Sequence, residues 1–403
     1  MQSIKDIYKI GKGPSSSHTM GPNTAAKVFA KRNADADYVI VTLYGSLAKT
    51  GRGHHTDYAI KDGLGKIPCE IIFDKTTPSI SLPHENTMRF KAYKDNKVVS
   101  EMEALSIGGG DISITGEEDP DKIQIYKEST FSEIAEYCKQ HNIRLSEYVY
   151  EKEGESIKTY LDKVWQTMQE SIQRGLTTTG VLEGGLGVER KAYTLYSSRH
   201  IDESASTREN RLVCAYAFAV GEENAQFGTV VTAPTCGSCS VVPAVLKYES
   251  ELRHVSHDKI LDALAVGGLI GNIVKTNASI SGAECGCQAE MGTASSMASA
   301  ALCEMLDMGI MQIEYAAEVA LEHQLGLTCD PVCGLVQIPC IERGAVSAMR
   351  AINGMSLANF LSNSRKISFD MLVHTMYKTG KDISSRYRET SEGGLAESYG
   401  IIQ

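Results

Sequence analysis

Along the first third of the chain, apolar positions recur with the short runs and alternation of strands: residues 38–44 (YVIVTLY), 67–73 (IPCEIIF), 80–82 and 89–93 are rich in β-branched and aromatic side chains. Residues 24–32 and 57–64 between them carry helical spacing. After residue 130 the apolar positions fall three and four apart, over 131–140 and 146–174, and then over 210–220, 241–252, 259–274, 291–306, 313–325, 341–355 and 369–379. The pattern predicts an α+β protein, with an α/β-sandwich-like domain over residues 1–150 and a larger all-α domain over 151–403. The acidic stretch EKEGES near residue 150 marks the expected boundary. Residues 292–302 (GTASSMASAAL) are small enough for close helix packing and predict a central buried helix. The polar, glycine-containing stretch 377–403 is expected to be mobile unless it folds into a site.

Bulk properties narrow the function classes. The 403 residues are 42% hydrophobic and 22% charged, with a formal charge of −10 and no basic cluster, which argues against nucleic acid as a partner. Apolar stretches are broken by Gly, Asn and Ser well before membrane-spanning length, and residues 1–18 lack an apolar targeting core. A cytoplasmic address is therefore expected. Thiols stay reduced there, so eleven cysteines point to metal binding or catalysis for some and packing for the rest.

The cysteines divide along those lines. Cys69, Cys138, Cys214 and Cys303 sit in ordinary runs and read as small core residues. Cys285 and Cys287 (SGAECGCQ) and Cys329, Cys333 and Cys340 (LTCDPVCGLVQIPC) lie instead among Gly, Pro and Asp, in segments that shape loops. Converging loops with soft thiolates suit an iron–sulfur centre or zinc. A further C-x-x-C pair, Cys236 and Cys239 in TAPTCGSCS, lacks the βαβ context of a redox dithiol.

Two loops in the first domain add polar chemistry. GPSSSHTMGP groups Ser15, Ser16, Ser17, His18 and Thr19 just before a helix, where backbone N–H groups and hydroxyls make an anion pocket suited to a carboxylate; a serine-rich helix cap is the plainer reading. TGRGHHTD supplies Arg52, His54 and His55 with Asp57 able to orient an imidazole, against the plainer reading of surface histidines. The triple glycine in SIGGGDIS allows a close backbone approach.

Taken together, GPSSSHTMGP, NASISGAECGCQ and LTCDPVCGLVQIPCIER resemble the iron–sulfur-dependent L-serine dehydratases (L-serine ammonia-lyases) of the single-chain type, over nearly the whole chain. The resemblance implies a [4Fe–4S] cluster on Cys287, Cys329 and Cys340 with one iron open, conversion of L-serine to pyruvate and ammonia, and a homodimer. It carries the loop histidines onto His18 and His54, and the first domain onto a small regulatory, substrate-binding type. An open iron would act as a Lewis acid on a poor leaving group while a base removes a weakly acidic proton. In that frame His18, His54, Ser16, Ser17 and Thr19 are the expected catalytic set, and Ser15, Asn277 and Lys275 the expected substrate contacts.

The chain departs from the family pattern at Cys236–Cys239, which replaces an Asn-Gly-Ala-Ala-Gly type of loop, and at the extra Cys285 and Cys333. These thiols could offer a fourth ligand, protect the cluster, or pack. The ending SYGIIQ lacks the C-terminal cysteine that some members place in their active site. Two alternatives stand beside this reading: a pyridoxal phosphate enzyme, for which the expected lysine context is missing, and an iron–sulfur sensor that binds an amino acid without consuming it.

Overall fold

The computed structural model describes residues 1–117, 123–199, 201–361 and 364–402. Its first elements are β1 (Ile10–Lys12), α1 (Gly21–Arg32), β2 (Tyr38–Leu43), α2 (Gly45–Thr50), α3 (Thr56–Leu64), β3 (Cys69–Phe73), β4 (Thr87–Lys94), β5 (Lys97–Gly108) and β6 (Asp111–Ile114). Helices follow: α4 (Phe131–His141), α5 (Leu145–Glu153), α6 (Ser156–Thr177), α7 (Ala192–Ser197) and α8 (Ala205–Ala225). After strand β7 (Thr229–Val231) come α9 (Val241–Arg253), α10 (His257–Asn277), α11 (Gly282–Cys285), α12 (Thr293–Met305), α13 (Ile310–Glu322), α14 (Cys340–Leu361), α15 (Phe369–Asp382) and α16 (Gly394–Ile402). The molecule is α+β, a small mixed sheet followed by a larger helical region.

The sheet runs in the order β3-β2-β4-β5-β6, with β2 and β3 parallel and the other pairs antiparallel. Alternation along β2 points Val39, Val41 and Leu43 into a core. Ala25 and Phe29 of α1 and Ile60 and Leu64 of α3 close that core from one side. Pro22 in the first turn of α1 and Lys31 and Arg32 in its last suit the helix ends they occupy.

The second core is helical, and it begins at the N-terminus. Ile4, Ile7 and Tyr8 are fully buried against α10, and the Tyr8 hydroxyl donates to the Leu264 carbonyl at 3.0 Å. Glycines of α10 make room for them: a Cβ on Gly268 would stand 2.8 Å from Tyr8 Cε2. Strand β1 then pairs antiparallel with β7, so the chain enters the helical core before it forms the sheet. Every residue of α12 is buried, as its small side chains predict.

Several elements differ from the sequence pattern. Residues 80–82 form no strand; Ser79–Ser81 is a 3-10 turn between Pro78 and Pro83, with Ile80 exposed. The helical run 146–174 divides at Gly154, which has a φ of +75°, into α5 and α6. Strands β5 and β6 escape the pattern because the buried face of β5 is interrupted by Ala104 and Ser106 while Val99 and Ile107 are exposed, and because β6 is a short edge. Residues 377–395 fold against the helical region, as described below. No helix of the described residues is long and apolar enough to cross a membrane.

Truncating Ile4 to Ala should lower unfolding free energy by about 2–5 kcal/mol, read from the denaturant midpoint. Lys163→Ala on the exposed face of α6 should stay within about 0.5 kcal/mol of wild type.

Candidate active site

The serine loop is held by polar side chains that cross between segments. Ser15 Oγ accepts from the His18 backbone N–H at 3.1 Å, and Ser15 N–H donates to Thr19 Oγ1 at 3.2 Å. Thr19 Oγ1 donates to the His54 carbonyl at 2.7 Å, while Thr56 Oγ1 donates to the His18 carbonyl at 2.6 Å. The serine loop and the histidine loop are thus tied reciprocally. Ser106 of β5 donates to the Ser17 carbonyl at 2.7 Å, and Ser16 Oγ accepts from Cys236 N–H at 2.8 Å.

The two imidazoles lie with centroids 4.6 Å apart and their planes tilted by 33°. His18 is hydrogen-bonded through Nδ1 to Ser17 Oγ at 2.8 Å and through Nε2 to Ser46 Oγ at 2.9 Å. His54 Nδ1–H donates to the Thr50 carbonyl at 3.1 Å, which leaves its buried Nε2 as a lone pair without a partner. Burial, and then the neighbouring His54, holds the His18 pKa well below the ordinary imidazole range. Burial likewise depresses His54, to about 4. Both rings are therefore neutral near pH 7.

Cys287, Cys329 and Cys340 line one cavity with Ser15, Ser16, Ser17, Glu290 and Glu389. Cys287 follows Gly286, whose φ of +73° ends α11, and Cys340 opens α14. A hydrogen-bonding contact with Cys287, reinforced by burial, pushes the Cys329 thiol pKa up, and burial followed by Cys287 does the same to Cys340. Glu290 Oε1 accepts from Thr235 Oγ1 at 2.6 Å, and Cys329 Sγ lies 3.9 Å from Oε2. Arg343 is the cation here: burial works against its charge, but Cys287, Asp330 and Cys340 outweigh that, and it donates to Asp330 at 2.9 Å.

The chain's last segment closes over these thiols. Cys329 N–H donates to the Tyr387 carbonyl and Glu389 N–H returns to the Cys329 carbonyl, each at 2.8 Å. Ser391 Oγ donates to the Pro331 carbonyl and Leu395 N–H to Asp330 Oδ2, also at 2.8 Å each.

The structure therefore brings Ser15, Ser16, Ser17, Cys287, Cys329 and Cys340 to one cavity, with His18, His54 and Thr19 immediately behind the serines. Two other sequence candidates lie elsewhere. Lys275 pairs with Asp111 at 3.1 Å in a neighbouring cleft, and Asn277 donates to the Ser129 and Ile273 carbonyls at 2.7 and 2.9 Å. Among the extra thiols, Cys285 is buried against Gly380, Cys333 is exposed, and Cys236 and Cys239 are buried; none lines the cavity. Sequence reasoning missed Glu290, Glu389, Thr235, Ser46 and Arg343. Spacing gave a hint for two of them, since Glu290 and Arg343 each follow a cavity cysteine by one helical turn. The triple glycine forms the β5–β6 turn, and Gly108 and Gly109 present bare backbone to the cavity.

Residues 91–396 match the family model described as the serine dehydratase alpha chain, and residues 3–81 match the one described as the beta chain. The chain belongs to the serine dehydratase family. L-serine dehydratase 2 of Escherichia coli K12 is 40% identical over 98% of each chain, and L-serine dehydratase of Haemophilus influenzae is 40% identical over 98% of this chain and 99% of its own. The L-serine dehydratase of Streptomyces coelicolor is 37% identical over 98% of both. In this serine dehydratase the beta-chain match supplies the serine and histidine loops, and the alpha-chain match supplies the three cysteines.

The buried imidazoles set a pH dependence. Unfolded histidine binds a proton below about 6.5; folded His54 does so only near 4. Stability contributed above the unfolded value is lost as pH falls between them. Thermal unfolding of His54→Asn should lose less midpoint than wild type between about pH 7 and about pH 5; equal losses would place the proton uptake elsewhere.

Proposed function

We propose that this chain is an L-serine ammonia-lyase, eliminating water from L-serine to an enamine whose hydrolysis takes that water back and releases pyruvate and ammonia, and that it holds a [4Fe–4S] cluster on Cys287, Cys329 and Cys340. The observation that carries this reading is the single cavity lined by those three thiols and the hydroxyls of Ser15, Ser16 and Ser17. Support also comes from the relatives, whose names state L-serine dehydratase.

The donor set fits such a cluster. Three soft thiols face one space, and the half-buried Arg343 guanidinium opposes the upward push of burial on Cys340. Among the described residues no three ligands stand close enough to hold one metal ion, which is compatible with a cluster because each thiolate there binds a separate iron. When bound, the cluster supplies Lewis acidity from an iron that carries no protein thiolate.

The chain's own groups do the rest. Hydroxyls of Ser15, Ser16 and Ser17 orient the substrate's polar groups, and Thr19 keeps their loop against the histidine loop. His54, neutral and with an unpartnered Nε2, stands behind His18 and outside the cavity lining, so the proton leaving Cα would reach it through an intervening group. His18 reaches the cavity through Ser17 and holds that hydroxyl in place. General-base assistance of this kind is worth roughly 10²- to 10⁴-fold in rate. The same reading includes a homodimer, supported by exposed Met311 and Phe360 beside one cleft, and a cytoplasmic address, supported by eleven free cysteines.

The test is anaerobic purification with iron and sulfide analysis and pyruvate release measured on one sample. About four irons with pyruvate formed is the expected result, with Cys340→Ser losing both and His54→Ala losing roughly 10²- to 10⁴-fold in kcat at unchanged iron. Iron with L-serine binding but no pyruvate would favour a sensor. Turnover that needs pyridoxal phosphate and no iron would overturn the assignment.

A further inference from the structure

An outer cleft adjoins the cysteine cavity and shares Ser17, Gly108, Ser281 and Glu389 with it. Arg388 lies on its wall, and its backbone is fixed between the two hydrogen bonds that join Tyr387 and Glu389 to Cys329. One corner of its guanidinium is occupied, Nη1 donating to the Glu284 carbonyl at 3.2 Å. Beside it, Nε–H is buried without an acceptor. Glu284 pairs with Lys381 and acts on Arg388 only at longer range, and Glu85, Glu389 and Glu392 line the same cleft. No carboxylate of the described residues stands within ion-pair distance of Arg388.

A guanidinium edge made of Nε–H and Nη2–H matches the two oxygens of a carboxylate, and a lysine ammonium does not reproduce that fork. Resting on the reading above, we propose that Arg388 forms an outer subsite for the α-carboxylate of the incoming amino acid, admitting small α-amino acids past Ser17 and Glu389 to the thiols. Among the described residues Arg388, unlike Arg343 and Arg386, makes no ion pair, and its buried Nε–H is the group such a carboxylate would satisfy.

Arg388→Gln and Arg388→Lys holoenzymes test it, with steady-state pyruvate release, iron content and thermal midpoint read on the same samples. Arg388→Gln should lose about 10- to 100-fold in kcat/KM through KM, with kcat within about threefold and iron retained. Arg388→Lys should fall between it and wild type. Unchanged KM would overturn the proposal, as would loss of iron and kcat in both variants at constant KM, which would make Arg388 only an anchor for the tail. Calorimetric binding of L-serine separates this from the assigned activity. Should wild type bind L-serine without forming pyruvate, loss of binding in Arg388→Gln still supports the subsite, and equal binding refutes it.

Discussion

The site depends on a reciprocal pair of hydrogen bonds between two loops, Thr19 Oγ1 to the His54 carbonyl and Thr56 Oγ1 to the His18 carbonyl. Buried loop carbonyls have no ladder partners, and each left unpaired would cost about 1–3 kcal/mol. Two threonines satisfy them and, in doing so, bring the imidazoles together and aim three serines at the thiols. The anchor beneath this pair is apolar. Ile4, Ile7 and Tyr8 bind the preceding segment to α10, so the serine loop leaves the helical core already positioned.

Electrostatics runs the other way, toward neutrality. Burial raises the pKa of Glu290, and for Glu389 raises it to about 8, so near pH 7 the cavity carries fewer negative charges than its carboxyls suggest. The imidazoles are neutral for the same reason. Against this background one half-buried guanidinium, Arg343, counts heavily, because a charge in a poorly solvated space acts at short range with little screening. Asp330 keeps that cation in place and also accepts from Leu395 N–H of the tail, so thiol environment and tail closure share one carboxylate.

Much of this was legible in the chain. The shift from strand runs to helical spacing after residue 130 gave the two-part architecture, and the small residues of α12 predicted its burial. The Gly, Pro and Ser loops pointed to the segments that converge. Direction was not legible. Lys275 and Asn277 are close in sequence to the cysteine loop, yet α10 turns them toward Asp111 and the Ser129 carbonyl. Ser46 and Glu389 lie in segments with no pattern of their own, and only the tertiary path sets them beside His18 and Cys329.

The tail shows why periodicity alone undervalued it. A polar stretch with glycines reads as mobile because it cannot bury apolar area, but order can also come from backbone bonds to a loop that is itself short of partners. Residues 329–331 offer such groups, and residues 387–395 meet them with four hydrogen bonds, all at 2.8 Å. The contact is mutual: the cysteine loop gains a fixed conformation, and the tail gains a place. A wall built this way, on hydrogen bonds and not on a hydrophobic core of its own, can open at a smaller free-energy cost than the helices beneath it. That suits a segment standing between solvent and the thiols.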